Sequence, residues 1–375
     1  MKTLVNHRLF WPSAILAALL LANLLVNPSF FSISLMDGNL FGPLVDILRR
    51  AAPIVLVALG MTLVIATRGI DLSVGAVAAI SGAWASMYII SSGDRLSVKV
   101  VLTAAGVALL MALVAGVWNG FLVSVLGIQP IVATLVLMTA GRGFAQIITS
   151  EKILYPDNSP AYKLIGGGYL LAVPFSILLA GGIFALTAVL TRKTALGTLI
   201  ESVGVNPEAS RLAGVRSRSI TWTVYIFSAF CAGLAGLMLT SNSTSADPNS
   251  IGLFIELDAI LAVVIGGTSL AGGRFSLAGT LIGAFIIEAM DAFVVIAISP
   301  RTTDVFKACV VVAVCVLQSP DARRVLFGRF RRRPPKEPAP VATRPAAPPP
   351  PQAPSSVDAA IATTPATVPS RGDVR

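Results

Sequence analysis

The chain has 375 residues, is 55% hydrophobic and carries charge on only 12% of its positions, about half the charged fraction of a soluble domain. The formal net charge of +10 suggests nucleic acid until it is located: after residue 320, ten Lys and Arg face four Asp and Glu, so the excess is a basic stretch suited to anionic lipid. A soluble globular fold and a nucleic-acid-binding protein are both set aside.

Apolar runs of roughly 20 residues recur along the chain, each long enough to cross a bilayer. They are continuously apolar and do not alternate with period two, which argues against a β-barrel. The predicted class is an all-α polytopic membrane protein with about ten transmembrane helices. Residues 1–10 form a short basic N-terminus with Lys2, Arg8 and the only histidine, His7, so a His-based metal site or catalytic triad is ruled out. The run at 11–31 resembles a signal peptide but lacks a convincing small-residue cleavage site, and is read as a retained span. Further spans are predicted at 44–67, 73–91, 97–121, 130–148, 169–191, 218–240, 253–267, 275–298 and 303–318, giving a transmembrane domain over 11–320. Cys231, Cys309 and Cys315 all sit in apolar runs and read as small core residues.

The second and third spans are joined by GIDLSVG, Gly69 to Gly75, which puts the Asp71 carboxylate and Ser73 between long apolar runs. Two readings are open. One is a tight interfacial turn with Asp71 capping the third span. The other is a broken helix lining a pathway, since irregular backbone and charge at membrane depth need protein or a water-lined cavity around them. Small residues four apart, such as Ala112, Gly116 and Gly120 or Ala232 and Gly236, allow close helix packing. Arg49 and Arg50 stand near the outer end of the second span, against the charge pattern, either buried in protein or reaching outward.

The loop 191–219 is long enough for a short helix at PEASRLAGV. Asn206 suits its cap, Pro207 its first position and Gly214 its end. Such a helix lying across the inner face could dock a soluble partner. Beyond it, IELDAILAVVIGGTSLAGG opens with Glu256 and Asp258, which favour a helix N-terminus. It closes on Gly266, Gly267, Gly272 and Gly273, either as cap plus turn or as a gate. With ten spans the N-terminus, the loop from Arg192 to Arg218 and the tail fall on one side, the cytoplasm by charge. Residues 321–375 are basic, then Pro-rich, with twelve of the 24 prolines from Pro334 onward; they read as a disordered cytoplasmic tail.

No Gly-Lys dipeptide occurs, so the chain has no phosphate-binding P-loop of its own. Asp46, Glu288 and Asp291 are dispersed, and neither a catalytic residue nor a metal site is assigned. An ion-coupled secondary transporter would usually need buried ionisable groups; here the acids mostly sit at span ends, which favours another energy source.

Several ordered segments carry a resemblance. They are GMTLVIATRGIDLSVGA (60–76), WNG (118–120), IQPIVATLVLMTAGRG (128–143), ALGTLIESVGVNPEASRLAGV (195–215) and ELDAILAVVIGGTSLAGGRF (256–275). Over residues 43–320 the chain resembles the ribose-type monosaccharide permeases of ATP-binding cassette (ABC) importers. LTRKTALG and LFGPLVDILRRAAP resemble the galactofuranose branch of that family. The resemblance implies an ABC importer permease fold in the bacterial inner membrane with both termini cytoplasmic. It implies a second permease copy, an ABC ATPase subunit, a periplasmic sugar-binding protein, a sugar substrate and lipid around the spans. No cofactor is expected on this chain, ATP and magnesium belonging to the ATPase partner. Nucleosides and branched-chain amino acids are same-mechanism alternatives.

The ATPase-coupling residues would be Asn206, Pro207, Glu208, Ala209, Arg211 and Gly214. The translocation pathway would involve Gly69, Asp71, Ser73, Gly75, Asn119, Gln129, Glu256, Asp258, Gly266 and Gly267. Arg68 departs from the family pattern, in which glycine is common there, and is offered as a gating residue or a partner for Asp71.

Overall fold

The computed structural model describes residues 9–156 and 159–297, with four positions further on, 305, 308, 309 and 312. The expected span at 303–318, apart from those four positions, and the whole tail 321–375 lie outside the described residues.

Among the described residues, seven helices are long and apolar enough to cross a membrane: α2 (Pro43–Ala66), α3 (Val74–Ser91), α4 (Val98–Ser124), α5 (Pro130–Thr149), α7 (Phe175–Lys193), α10 (Ser217–Ser243) and α12 (Leu277–Ala297). Five shorter ones complete the described set: α1 (Phe10–Val26), α6 (Pro160–Gly166), α8 (Leu196–Val205), α9 (Pro207–Leu212) and α11 (Ile255–Ile265). Two small antiparallel hairpins, β1 (Ser34–Met36) with β2 (Asn39–Phe41) and β3 (Tyr169–Leu170) with β4 (Val173–Pro174), lie in the connections before α2 and α7.

Helix α2 is the hub. Pro43 occupies a first-turn position and Asp46 complements the helix dipole there, in an ion pair with Arg49 at 3.0 Å. Arg49 therefore finds its charge partner one turn back in its own helix. From Ala51 onward every α2 side chain is buried, among α7, α10, α11 and α12. Helix α10 packs on α2, α3 and α4 through small residues that let backbones approach. A Cβ on Gly60 would sit 2.7 Å from Ser228 Cα, and one on Gly233 would sit 2.6 Å from Ala112 Cβ. The small-residue spacing seen in the sequence thus marks the α4–α10 and α3–α10 seams. Helices α4, α5 and α7 are peripheral and show long apolar faces.

Three expected spans change form. The run at 169–191 opens with the β3–β4 hairpin, and its helix begins only at Phe175. The run at 11–31 is helical for 17 residues, to Val26. The run at 253–267 forms only α11, 11 residues and so about 16 Å long, roughly half a hydrocarbon core. The backbone before it, 244–254, is non-helical: Ala246 bridges to Leu154, and Thr244 and Phe254 take positive φ values of 50° and 63°.

Candidate functional site

Two irregular segments interrupt the helices, and Asp71, Ser73, Asn119 and Glu256, among the polar side chains predicted for the pathway, lie at them.

The first is residues 67–73, between α2 and α3. Asp71 is 2% exposed. Its Oδ1 accepts hydrogen bonds from the Ser73 backbone N–H (3.1 Å) and hydroxyl (2.6 Å), and its Oδ2 accepts one from the Ser228 hydroxyl of α10 (2.9 Å). Asn119 of α4 donates from Nδ2 to Ser73 Oγ at 2.8 Å, and Thr134 of α5 donates to the Ile70 carbonyl at 3.2 Å. Three further helices, α4, α5 and α10, therefore converge on the broken backbone between α2 and α3. Ser228 is the twelfth residue of α10, so Asp71 lies about 17 Å along that helix, well inside the bundle. A cap at the rim of the bundle does not describe it. Arg68 was offered as a partner for Asp71 and is not one. At φ 67° it turns away, and its guanidinium donates to the Val205 carbonyl at the end of α8. Serine hydroxyls, not a cation, hold the carboxylate.

The second segment is 247–256. Arg142, the thirteenth residue of α5, donates from Nη1 to the carbonyls of Pro248 (3.3 Å) and Ile251 (2.5 Å). One turn on, Gln146 donates to Asn249 Oδ1 at 2.8 Å. Glu256, 8% exposed, opens α11 and reaches the start of α3: a Cβ on Gly75 would overlap its carboxylate and sit 2.5 Å from the Gly252 carbonyl. The GIDLSVG and IELDAIL segments, nearly two hundred residues apart, meet at Gly75.

The other predicted residues lie elsewhere. Gln129 is exposed at the N-terminus of α5. Asp258 is half-buried in the first turn of α11, and Gly266, at the far end of that helix, packs against Gly279 of α12. Gly267 takes φ +85° in the turn after α11.

The expected short helix of the 191–219 loop is α9. Asn206 Oδ1 accepts from the N–H groups of Glu208 and Ala209, both at 3.0 Å, Pro207 holds the first position, and Gly214 ends the turn at φ +86°. Glu208 and Arg211 pair at 2.5 Å on its exposed surface; the guanidinium holds the Glu208 carboxyl below the usual carboxylate range. Ser210 is buried beneath, while Leu212 is 80% exposed.

Helix α8 was not anticipated. Its end packs on the end of α2: a Cβ on Gly204 would overlap the Ala66 carbonyl, Arg68 donates to the Val205 carbonyl, and Gly273, in the turn after α11, donates its N–H to the same Ala66 carbonyl at 2.9 Å.

Arg142, Ser228, Gln146 and Asn249 are the site residues that sequence reasoning missed. The available signal was Arg142 itself, the sole charged residue in the 20 of α5.

Comparison with known proteins agrees with this architecture. Residues 44–315 match the family described as branched-chain amino acid transport system / permease component. The chain is 48% identical to the galactofuranose transporter permease protein of Escherichia coli strain K12, over 84% of this chain and 93% of that protein. It is 39% identical to the fructose import permease protein of Bifidobacterium longum over 88% and 93%. It is 36% identical to the ribose import permease protein of Haemophilus influenzae over 76% and 84%. No solved structure matches. With seven membrane-length helices and a family match over most of its length, the chain is a multi-pass membrane protein that belongs to the branched-chain amino acid transport system / permease component family.

Proposed function

We propose that this chain is the permease subunit of a bacterial ATP-driven importer for a monosaccharide, working in the inner membrane beside a second permease copy. A separate ATPase subunit grips its inner face, and a periplasmic binding protein delivers solute to the other. The relatives, named as permeases for galactofuranose, fructose and ribose, support a sugar as cargo. In this reading the bundle has about ten spans, α11 serving as a half-span.

The observation that carries the reading is the mechanical link between α9 and the core. An exposed, internally paired six-residue helix sits next to α8, and the end of α8 packs through Gly204 on the end of α2 and accepts at Val205 from Arg68 of the Asp71 break. A partner that moves α9 therefore moves the backbone on which Ser73, Asn119 and Ser228 converge. ATP-driven closure of the ATPase pair would pass along this route and open the bundle to alternate faces.

The test is uptake in vesicles holding the permease, its ATPase and its binding protein. Radiolabelled sugar accumulates with ATP and not with an ion gradient alone. Gly214→Trp and Glu208→Lys retain membrane insertion and ATP hydrolysis and lose at least tenfold in uptake. Accumulation by the permease alone on an ion gradient, or full uptake by both variants, defeats the reading. Leucine belongs among the competitors, because the family's own description names branched-chain amino acids.

A further inference from the structure

We infer that Arg142 is a positioning residue whose guanidinium holds residues 248–251 as open backbone beside Glu256 and so sets the passage into which α11 faces. The inference rests on the reading of this segment as part of the solute route.

Two costs meet at this point. A cation in the middle of a membrane-length helix is unfavourable, and Arg142 lies about 18 Å from the start of α5, with no other charged residue in that helix. Non-helical backbone at membrane depth leaves carbonyls without partners, and residues 247–254 run beside α3 and α5, in line with Arg142 and Gly75, as non-helical chain. Each feature offsets the other: the Nη1 amino group, with two N–H donors, reaches two carbonyls three residues apart, Pro248 and Ile251. Arg142 hydrogen-bonds to carbonyls, while Glu256 and Asp247 attract it through space.

Gln146, one helical turn along, ties the Asn249 side chain to the same face of α5. Asn249 itself is exposed, and with the neighbouring Ser250 it offers amide and hydroxyl groups suited to a polyhydroxylated solute. On the other side Gly75 leaves room for the Glu256 carboxylate and the Gly252 carbonyl. The segment is thus clamped between α5 and α3, and among the described residues Arg142 is the only cation that hydrogen-bonds to it. Without that clamp the Pro248 and Ile251 carbonyls lose their side-chain donor and the segment leaves its position, while the helices remain.

The experiment uses the full chain in intact cells, with Cys309→Ser and Cys315→Ser and the buried Cys231 retained. Asn249→Cys is labelled with a membrane-impermeant maleimide, and Asp94→Cys, in the loop between α3 and α4, is the control. Arg142→Met changes the labelling rate at Asn249→Cys at least fivefold and leaves Asp94→Cys within twofold. Arg142→Lys, which still donates, stays within twofold at both. In the chain without added cysteines, Arg142→Met cuts uptake at least tenfold and Arg142→Lys retains a third or more. Equal labelling of Asn249→Cys in the Met variant and its parent overturns the inference. If the Met variant does not reach the membrane, Arg142→Gln is read by the same criteria. Complete modification of Asn249→Cys with unchanged uptake removes the segment from the solute route; the clamp is then judged on the labelling ratio.

Discussion

At the scale of single residues, the Asp71 cluster shows a buried carboxylate held by hydroxyl and backbone donors. Asn119 donates to Ser73 Oγ, so the Ser73 proton must point to Asp71; the Ser228 proton does likewise. This fixes which substitutions are tolerated. In Asp71→Asn the amide oxygen keeps both Ser73 bonds, and the Ser228 hydroxyl can rotate to accept from the amide nitrogen. The expected cost is about 1 kcal/mol. Asp71→Leu is of similar size but leaves an N–H and two hydroxyls buried without an acceptor, at about 3 kcal/mol or more. Thermal unfolding of purified protein in detergent should rank wild type, Asn and Leu in that order, with Leu well separated. Equal midpoints for Asn and Leu would show that the three donors do not depend on this carboxylate. The sequence alone made Asp71 conspicuous, because a carboxylate between apolar runs is rare, but not its partners: Ser228 and Asn119 lie on helices whose facing is set only by packing.

At the scale of elements, legibility followed length. Helices α2, α3 and α5 fall within a residue or two of the predicted spans, because long apolar runs bounded by Pro, Gly and polar residues leave little choice. Helix α9 was readable from Asn206, Pro207 and Gly214, since capping is local chemistry. The break before α11 was not readable. Residues 241–252 are polar and read as an external loop, and hydropathy carries no sign that part of such a loop folds inward against Arg142 and Gly75. Helix α8 was hidden too, its ten residues merging into a loop defined by its charges. The α8–α2 junction gives the element-scale prediction. At Gly204 an added methyl would overlap the Ala66 carbonyl and crowd the Gly273 nitrogen at 2.5 Å, both of them backbone. Gly204→Ala must therefore force α8 off α2, whereas Gly181→Ala on α7, which has open space around it, should be neutral. Uptake should fall at least fivefold for the first and stay within experimental error for the second, at equal membrane abundance.

At the scale of the molecule, α10 orders the two ends of the bundle. It runs for 27 residues, about 40 Å, from Ser217, just after α9, to Ser243, just before the Leu154–Ala246 bridge. A helix of that length crosses the hydrocarbon once, so the α9 loop and the 244–246 segment must face opposite compartments. Charge then orients the pair. Arg192, Lys193, Arg211, Arg216 and Arg218 crowd the α9 end against Glu201 and Glu208, and short basic loops are retained in the cytoplasm. Cysteine placed at Asn206 should be labelled by an impermeant maleimide only after the membrane is permeabilised. Cysteine placed at Ser245 should be labelled in intact cells, both in a background cleared of Cys309 and Cys315. The reverse pattern would put α9 outside, where no ATPase could reach it, and the coupling route through Gly204, Ala66 and Asp71 would have nothing to drive it. Labelling at both positions from one side would break the single-crossing geometry of α10, and with it the alignment that brings Ser228 to Asp71.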